Sequence, residues 1–308
     1  MIEICQHWEC FTVRDSSWRG FCLLGKQFLG IIDRLADMFS LAVILFMTVV
    51  LLPIYYIFLT AFAPSGKLFT VPLTYFPRSL AVARFQDIFG ALPIARYMLN
   101  STMLATFSTI LALTVSLLAA YAIARLDFPG ANMVMIGLLA SSMLPGTATV
   151  IPLFQMFQTL KLMDTLHGLL ILYGSALLPI TTWVLVSFLR QVPVEIEDAA
   201  KVDGASFFQL LWRIVLPVIR PGVATMFLIN FIIGWNEFFT PLIFARGAGV
   251  KVITMALSEA QVIGARSEFD VSWGNMSAVA ILTTIPVFII TLIFQRQIVE
   301  GITSGVFK

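Results

Sequence analysis

The sequence predicts an all-α integral membrane protein with six transmembrane helices, and three observations predict it. Of 308 residues, 59% are hydrophobic and only 12% are charged, against about 25% charged in an ordinary soluble domain. The deficit is concentrated. Six windows, 38–66, 97–124, 128–160, 165–189, 221–245 and 271–295, hold 165 residues and one charge, Glu237. Each window exceeds the roughly 20 residues that a helix needs to cross the hydrocarbon core. Strands of a membrane barrel would alternate over about 10 residues rather than stay apolar throughout, so a barrel is excluded. The longest stretch outside the windows is the N-terminal 37 residues, which excludes a large extramembrane catalytic domain.

Within these windows the helices are expected at 38–62, 97–124, 131–157, 168–189, 222–245 and 277–296. Each except the second carries proline: Pro53, Pro145 and Pro152, Pro179, Pro241, and Pro286. Proline frees a carbonyl and kinks a membrane helix, which neighbouring helices can tolerate. The second helix instead collects small residues, Ala105, Ser108, Ala112, Ser116, Ala119 and Ala120, and these favour close approach of another helix. The chain is thus expected to divide into an N-terminal segment, 1–37, and a six-helix domain, 38–308. Residues 21–39 mix apolar and charged positions at helical spacing and read as a membrane-surface helix. An irregular tail or an upstream extension is equally open. The first apolar run is too long for a cleaved signal peptide.

With both termini placed inside, 11 Lys or Arg fall on the inner side and 8 on the outer, the direction of the positive-inside rule. The net charge of +2 and the lack of a long basic run give no footprint for nucleic acid. Cys5, Cys10 and Cys22 form no CxxC pair, and His7 and His167 are far apart, so neither a metal site nor a disulfide framework is expected.

The most informative stretch is Arg190–Arg220, RQVPVEIEDAAKVDGASFFQLLWRIVLPVIR. Pro193 followed by Glu195, Glu197 and Asp198 is a favourable helix start, because acids in the first turn oppose the helix dipole. Ala199 and Ala200 leave a low-profile face. Gly204 permits a turn between two helical pieces. Phe207, Phe208, Leu211 and Ile214 recur at helical spacing as apolar anchors, and Pro217 and Pro221 close the element. This describes a short rigid rod, tied at both ends to membrane helices and able to pass a push from a soluble partner.

The same residues resemble the EAA loop of the inner-membrane permeases of ATP-binding-cassette (ABC) importers: E-A-A, three residues, Gly, nine residues, I-x-L-P. Asp198-Ala199-Ala200, Gly204 and Ile214-Val215-Leu216-Pro217 fit every spacing, with Asp198 where the family usually has Glu. The form EDAAKVDGAS, with Asp203 before Gly204, is similar to the carbohydrate-uptake branch. So are YAIARLDFPG (Tyr121–Gly130), FIIGWNEFFTPLI (Phe231–Ile243) and FQRQIVEGITSGVFK (from Phe294). Together these make 38–308 resemble a permease of the MalG type, with the MalG/MetI-like fold.

The resemblance implies a subunit of the cell inner membrane that is not itself an enzyme. Its implied partners are a second permease, two ATP-binding cassette subunits, an extracytoplasmic solute-binding protein and the lipid around it. Residues 195–208 would be the coupling helix. Glu197 and Asp198 would face the ATPase groove, and Gly204 would set the bend. The loop 246–276 would correspond to the external loop that probes the binding protein. The tail 295–308 would also reach the ATPases. ATP and Mg would be bound by the partner subunits. The one stretch like a P-loop, Gly20 to Gln27, lacks the Ser or Thr for magnesium and has no strand before it.

For the solute path, Asn230, Trp235, Asn236 and Glu237 are candidates. An ionisable residue inside a span is costly and marks function by default. Trp235 could stack on a sugar face while Asn236 and Glu237 bond hydroxyls; alternatively Glu237 pairs with a partner helix. The function expected is import of a sugar or sugar-like solute. The alternatives are an ABC permease for glycerol phosphate or an amino acid, and an ATP-independent secondary transporter. The latter predicts paired intramembrane charges or inverted repeats, and neither is visible. An intramembrane enzyme would need a catalytic set, whereas the spans hold one acid and His167 only at an edge.

Overall fold

Twelve helices can be followed in the computed structural model, which describes residues 16–64, 82–263 and 272–306, with side chains between 37 and 295. They are α1 (Ser16–Phe62), α2 (Ala83–Ala91), α3 (Ile94–Arg125), α4 (Ala131–Ser142), α5 (Gly146–Thr159) and α6 (Leu166–Leu189). Then follow α7 (Val194–Val202), α8 (Phe207–Val218), α9 (Arg220–Asn236), α10 (Phe239–Phe244), α11 (Ile253–Ala260) and α12 (Trp273–Val306). No strand occurs among the described residues.

Among the described residues, four stretches are long and apolar enough to cross a membrane: Asp37–Phe62, Ile94–Arg125, Leu166–Leu189 and Trp273–Gln295. Two bent pairs bring the total to six if each pair is one span: α4 with α5, at 95°, and α8 with α9, at 82°. The third expected helix, 131–157, is therefore an elbow rather than a kinked rod. Pro145 is extended (φ −63, ψ 128), has no N–H to donate, and bars Leu144 from helical geometry. The fifth expected helix, 222–245, also breaks. Glu237 is extended (φ −65, ψ 124), and Pro241 cannot donate to the Glu237 carbonyl four residues back. The Thr254 hydroxyl donates to that carbonyl instead, at 2.7 Å.

The chain divides into two units, Met1–Tyr56 and Ile57–Lys308. In the first, α1 runs without interruption through residue 37, and its apolar side chains from Met38 to Tyr56 are exposed. The side chains expected to form a surface helix over 21–36 lie outside the described residues, as do Cys5 and Cys10.

In the second unit, α3 and α6 pack against each other more extensively than any other pair. Ala105, Ser108, Ala112, Ser116 and Ala120 are all buried on α3, so the cluster of small residues is a packing face. Gly174 of α6 sits where a Cβ would stand 3.0 Å from Leu111. Buried hydroxyls stitch the pair together: Thr182 donates to Ser116 at 3.1 Å, and Ser116 to the Leu178 carbonyl at 3.3 Å. Membrane helices commonly associate through such small residues and hydrogen bonds.

At the end of α3 remote from α7, Arg84 of α2 is 6% exposed and donates to the Thr60 and Ala61 carbonyls at 2.8 and 2.7 Å. It thereby satisfies orphan carbonyls at the C-terminus of α1, where a cation also favours the helix dipole. Burial lowers the pKa of its guanidinium below the ordinary value. A Cβ on Gly274 would run into the guanidinium of Arg84, so Gly274→Ala must displace a buried, bonded cation. The expected cost is about 1–3 kcal/mol, the usual range for overpacking. A lowered thermal midpoint in detergent reads it out, and an unchanged midpoint would show that Arg84 yields freely.

Candidate functional site

The Arg190–Arg220 stretch folds as two short helices around a tight turn. α7 starts at Pro193, carries Glu195 and Glu197 in its first turn and Lys201 in its last, and so opposes the helix dipole at both ends. It stops at Asp203, whose N–H donates to the Ala199 carbonyl at 3.0 Å. Gly204 then turns the chain at φ +82, with nothing within 4 Å of a would-be Cβ. The glycine is required by the backbone angle, not by crowding. Ser206 opens α8 with a capping box: it accepts from the Gln209 N–H while Gln209 accepts from the Ser206 N–H. Over Leu210–Val215 the helix widens to a π-turn, in which the Leu216 N–H reaches the Leu211 carbonyl just before Pro217.

Glu197 and Asp198 point to opposite sides, which corrects the expectation that both face outward. The Glu197 side chain is 1% exposed and sits 2.7 Å from Nε of Arg125, itself 9% exposed. The other Glu197 oxygen accepts from the Tyr121 hydroxyl at 3.0 Å. Arg125 also donates to the Val192 carbonyl at 2.8 Å. The carboxylate thus has a charge-assisted bond and a second donor, which a buried charge needs to be tolerated. Asp198 is exposed and pairs with Lys201 one turn on at 2.9 Å, a solvated contact of little energetic weight.

The other site residues fall into place around this joint. Ala200 is buried against α3 and α6, together with Leu210, Leu211 and Val215. Ala199, Asp203, Gly204 and Pro217 are exposed, and Ile214 and Leu216 are half-buried. Phe207 and Phe208, expected as anchors, are instead 47% and 65% exposed. Phe207 meets the edge of Tyr121 at 5.4 Å. A cavity of about 460 Å³ lies between α3 and this turn, lined by Leu118, Tyr121, Arg125, Glu197, Phe207 and Leu210.

α7 thus buries one acid, Glu197, beside Ala200, while its exposed surface mixes Glu195, Asp198 and Lys201 with Val194, Ile196 and Val202, which are 46%, 42% and 88% exposed. Arg125 and Tyr121 were not singled out for this role from sequence. The available signal was that Arg125 is the cation closing a window of 28 uncharged residues.

The candidates for the solute path separate on inspection. Trp235 is 1% exposed, stacks on Phe231 at 5.9 Å, and donates its indole N–H to the Thr283 carbonyl at 3.1 Å. It offers no free face to a sugar, and its place in the path is withdrawn. Asn230 is buried and donates to Thr181 at 2.9 Å, a stitch between α9 and α6. Asn236 is exposed and donates to the Ile232 carbonyl at 2.8 Å. Glu237 is half-buried and accepts from the Thr240 N–H and hydroxyl at 2.8 and 2.7 Å, so it caps the start of α10 at the break in the span. Of the loop 246–276, residues 264–271 lie outside the described residues. The tail 295–308 is helical to Val306, but its side chains beyond 295 also lie outside them.

Residues 112–304 match the family described as "Binding-protein-dependent transport system inner membrane component". The sulfoquinovosyl glycerol transport system permease protein SmoH of Agrobacterium fabrum is 31% identical over 258 residues, 84% of this chain and 89% of that protein. The trehalose transport system permease protein SugB of Mycobacterium tuberculosis is 33% identical over 258 residues, 84% and 92% of the two chains. A chain from the crystal structure of a bacterial ABC transporter involved in the import of the acidic polysaccharide alginate shares the fold. Its TM-score is 0.71 at 20% identity, covering 93% of this chain and 99% of that one. The all-helical bundle, the buried joint under a turn with EAA spacing, and these matches converge: the chain belongs to the binding-protein-dependent transport system inner membrane components, the permease subunits of ABC importers.

Proposed function

We propose that this chain is one of two permeases in a sugar importer, and that its α7–α8 turn receives the ATPase subunits. The observation that carries the proposal is the mixed outer surface of α7, where Val194, Ile196 and Val202 stand exposed beside Glu195, Asp198 and Lys201. Three exposed apolar side chains on a nine-residue helix are unfavourable in bulk water and favourable against the groove of a soluble partner. Asp198, Ala199 and Gly204 lie on the same exposed stretch. ATP and Mg are bound by two separate subunits, an extracytoplasmic protein delivers the solute, and α7 with both termini lies in the cytosol. The solute is a sugar or a sugar glycoside, by likeness to the trehalose and sulfoquinovosyl glycerol permeases.

Asp198→Arg and Gly204→Trp test the docking role. Gly204→Trp meets open space within the chain and carries only the left-handed strain of about 1–2 kcal/mol, so both variants insert in the membrane at normal levels. Uptake of labelled trehalose and the yield of co-purified ATPase are both expected to fall about tenfold or more, a loss of about 1.4 kcal/mol in docking. Uptake at the normal rate by Gly204→Trp would remove the coupling role from this turn. Transport by the purified chain alone in vesicles would remove the ABC mechanism.

A further inference from the structure

The uncharged run of α3, residues 97–124, is bounded by Arg96 and Arg125. It measures about 42 Å at the usual rise per residue, close to the roughly 40–45 Å of a bilayer with its headgroup regions. Arg125 therefore stands at headgroup depth, whichever way the chain is inserted. The cavity of about 460 Å³ lies beside it, at the same depth, and its size is that of a small-molecule site.

The lining of this cavity is divided. Leu118, Leu126 and Phe207 make an apolar side, and all three are also exposed at the surface. Val115 and Leu111, three and seven residues before Leu118 on the same face of α3, continue the exposed apolar strip away from the cavity and into the membrane. Arg125, Glu197 and Lys201 make the polar side, with a net charge of +1. Both oxygens of Glu197 are bonded, one to Nε of Arg125 and the other to the Tyr121 hydroxyl, so its charge is already compensated. Nη2 of Arg125 donates to the Val192 carbonyl. Nη1 has no partner among the described residues, although the side chain is only 9% exposed. Lys201 holds Asp198 through an exposed contact of little energetic weight, and is free to turn to a stronger acceptor.

We propose that this cavity binds an acidic glycerophospholipid, its phosphate held by Nη1 of Arg125 and by Lys201, and an acyl chain laid along Leu118, Val115 and Leu111. Arginine pairs strongly with phosphate, and basic pockets between membrane helices suit lipid headgroups. The net charge of the lining selects among lipids. A phosphodiester with an uncharged headgroup answers it, whereas a zwitterionic lipid brings an ammonium group up to two cations. Asp198, Ala199 and Gly204 do not line the cavity. The lipid thus sits behind the turn, braces α7 against α3, and leaves the surface offered to the ATPase uncovered. The site rests on the depth of Arg125 and the chemistry of the lining; only its bearing on uptake rests on the importer reading.

The full chain, purified in detergent with the subunits that accompany it and stripped of lipid, is titrated with phosphatidylglycerol, phosphatidylethanolamine, diacylglycerol and inorganic phosphate. Native mass spectrometry counts bound lipid, and the thermal midpoint is followed in parallel. Phosphatidylglycerol is expected to bind at one site on this chain, at least about tenfold more tightly than phosphatidylethanolamine, a difference of about 1.4 kcal/mol. Ala122→Phe, which fills part of the cavity, and Lys201→Gln, which removes the outer cation, are each expected to weaken that binding about tenfold. Lys201→Gln alters an exposed side chain, so its result stands even where Ala122→Phe fails to fold. Equal retention of both phospholipids, unchanged in the two variants, means surrounding lipid only and overturns the site. Diacylglycerol held as tightly as phosphatidylglycerol overturns the phosphate contact. Inorganic phosphate that raises the midpoint as far as phosphatidylglycerol does overturns the lipid in favour of a free anion. Loss of selective binding in a preparation that still holds its ATPase overturns the lipid site alone. Selective binding in one that holds no ATPase overturns the importer reading and leaves the site standing.

Discussion

Glu197→Ala is expected to abolish uptake and to lower the stability of the protein by about 3–5 kcal/mol, the range for removing one partner from a buried ion pair. Arg125 would be left 9% exposed, with the Val192 carbonyl as its one remaining bond among those described. Tyr121 would lose its acceptor as well. Stability and coupling can be separated by a second variant. Replacing a buried pair by apolar residues of similar size is often neutral or stabilising, so Arg125→Met with Glu197→Leu should restore the thermal midpoint. It should not restore uptake, because the apolar pair slides where the ion pair is directional. Thermal unfolding in detergent and uptake in cells are the two measurements. Full uptake by the double variant would reduce the ion pair to a packing element. Wild-type stability in Glu197→Ala would show that Glu197 is not held as described.

Trp235→Ala is expected to cost about 3–5 kcal/mol, the usual range for deleting a large aromatic from a packed core. The ring fills the space between Phe231 and α12, where its N–H meets the Thr283 carbonyl. Trp235→Phe loses that bond but keeps most of the apolar volume, and should cost less. Its apparent affinity for solute should equal that of the parent, because no face of the ring is open to a ligand. A change in solute affinity at unchanged thermal midpoint in Trp235→Phe would return the residue to the translocation path.

The uncharged windows located the four continuous spans in α1, α3, α6 and α12, because crossing a membrane demands a length of apolar chain and nothing else of the sequence. They could not show the elbow at Pro145-Gly146 or the break at Glu237. A window counts charges, and a backbone that turns through 95° inside an apolar stretch leaves the count untouched. Proline marked both places, but Pro53, Pro179 and Pro286 sit inside continuous helices. The residue alone therefore does not separate a kink from a break.

The turn between α7 and α8 was legible as spacing, and its glycine was assigned for the right physical reason: Gly204 does take the positive φ that a turn requires. The inward turn of Glu197 was not legible. Neighbours on a helix point about 100° apart, so one of Glu197 and Asp198 had to face away from the other. Which one depended on a cation 72 residues earlier. Trp235 failed for the opposite reason. An aromatic beside Asn and Glu reads as a sugar site in any linear scan, and only packing distinguishes a ring that waits for a ligand from one that is already covered.

The elbow of α4 and α5 bears on how the molecule comes apart. α4 has no fully buried residue and α5 has one, Phe157, whereas α3 and α6 bury one side chain after another. Free energies of local opening follow buried contact. In detergent, without lipid or a second permease to cover it, the arm 131–159 is then expected to open ahead of the α3–α6 pair, and amide exchange would mark that stretch early, while the core beneath it still holds.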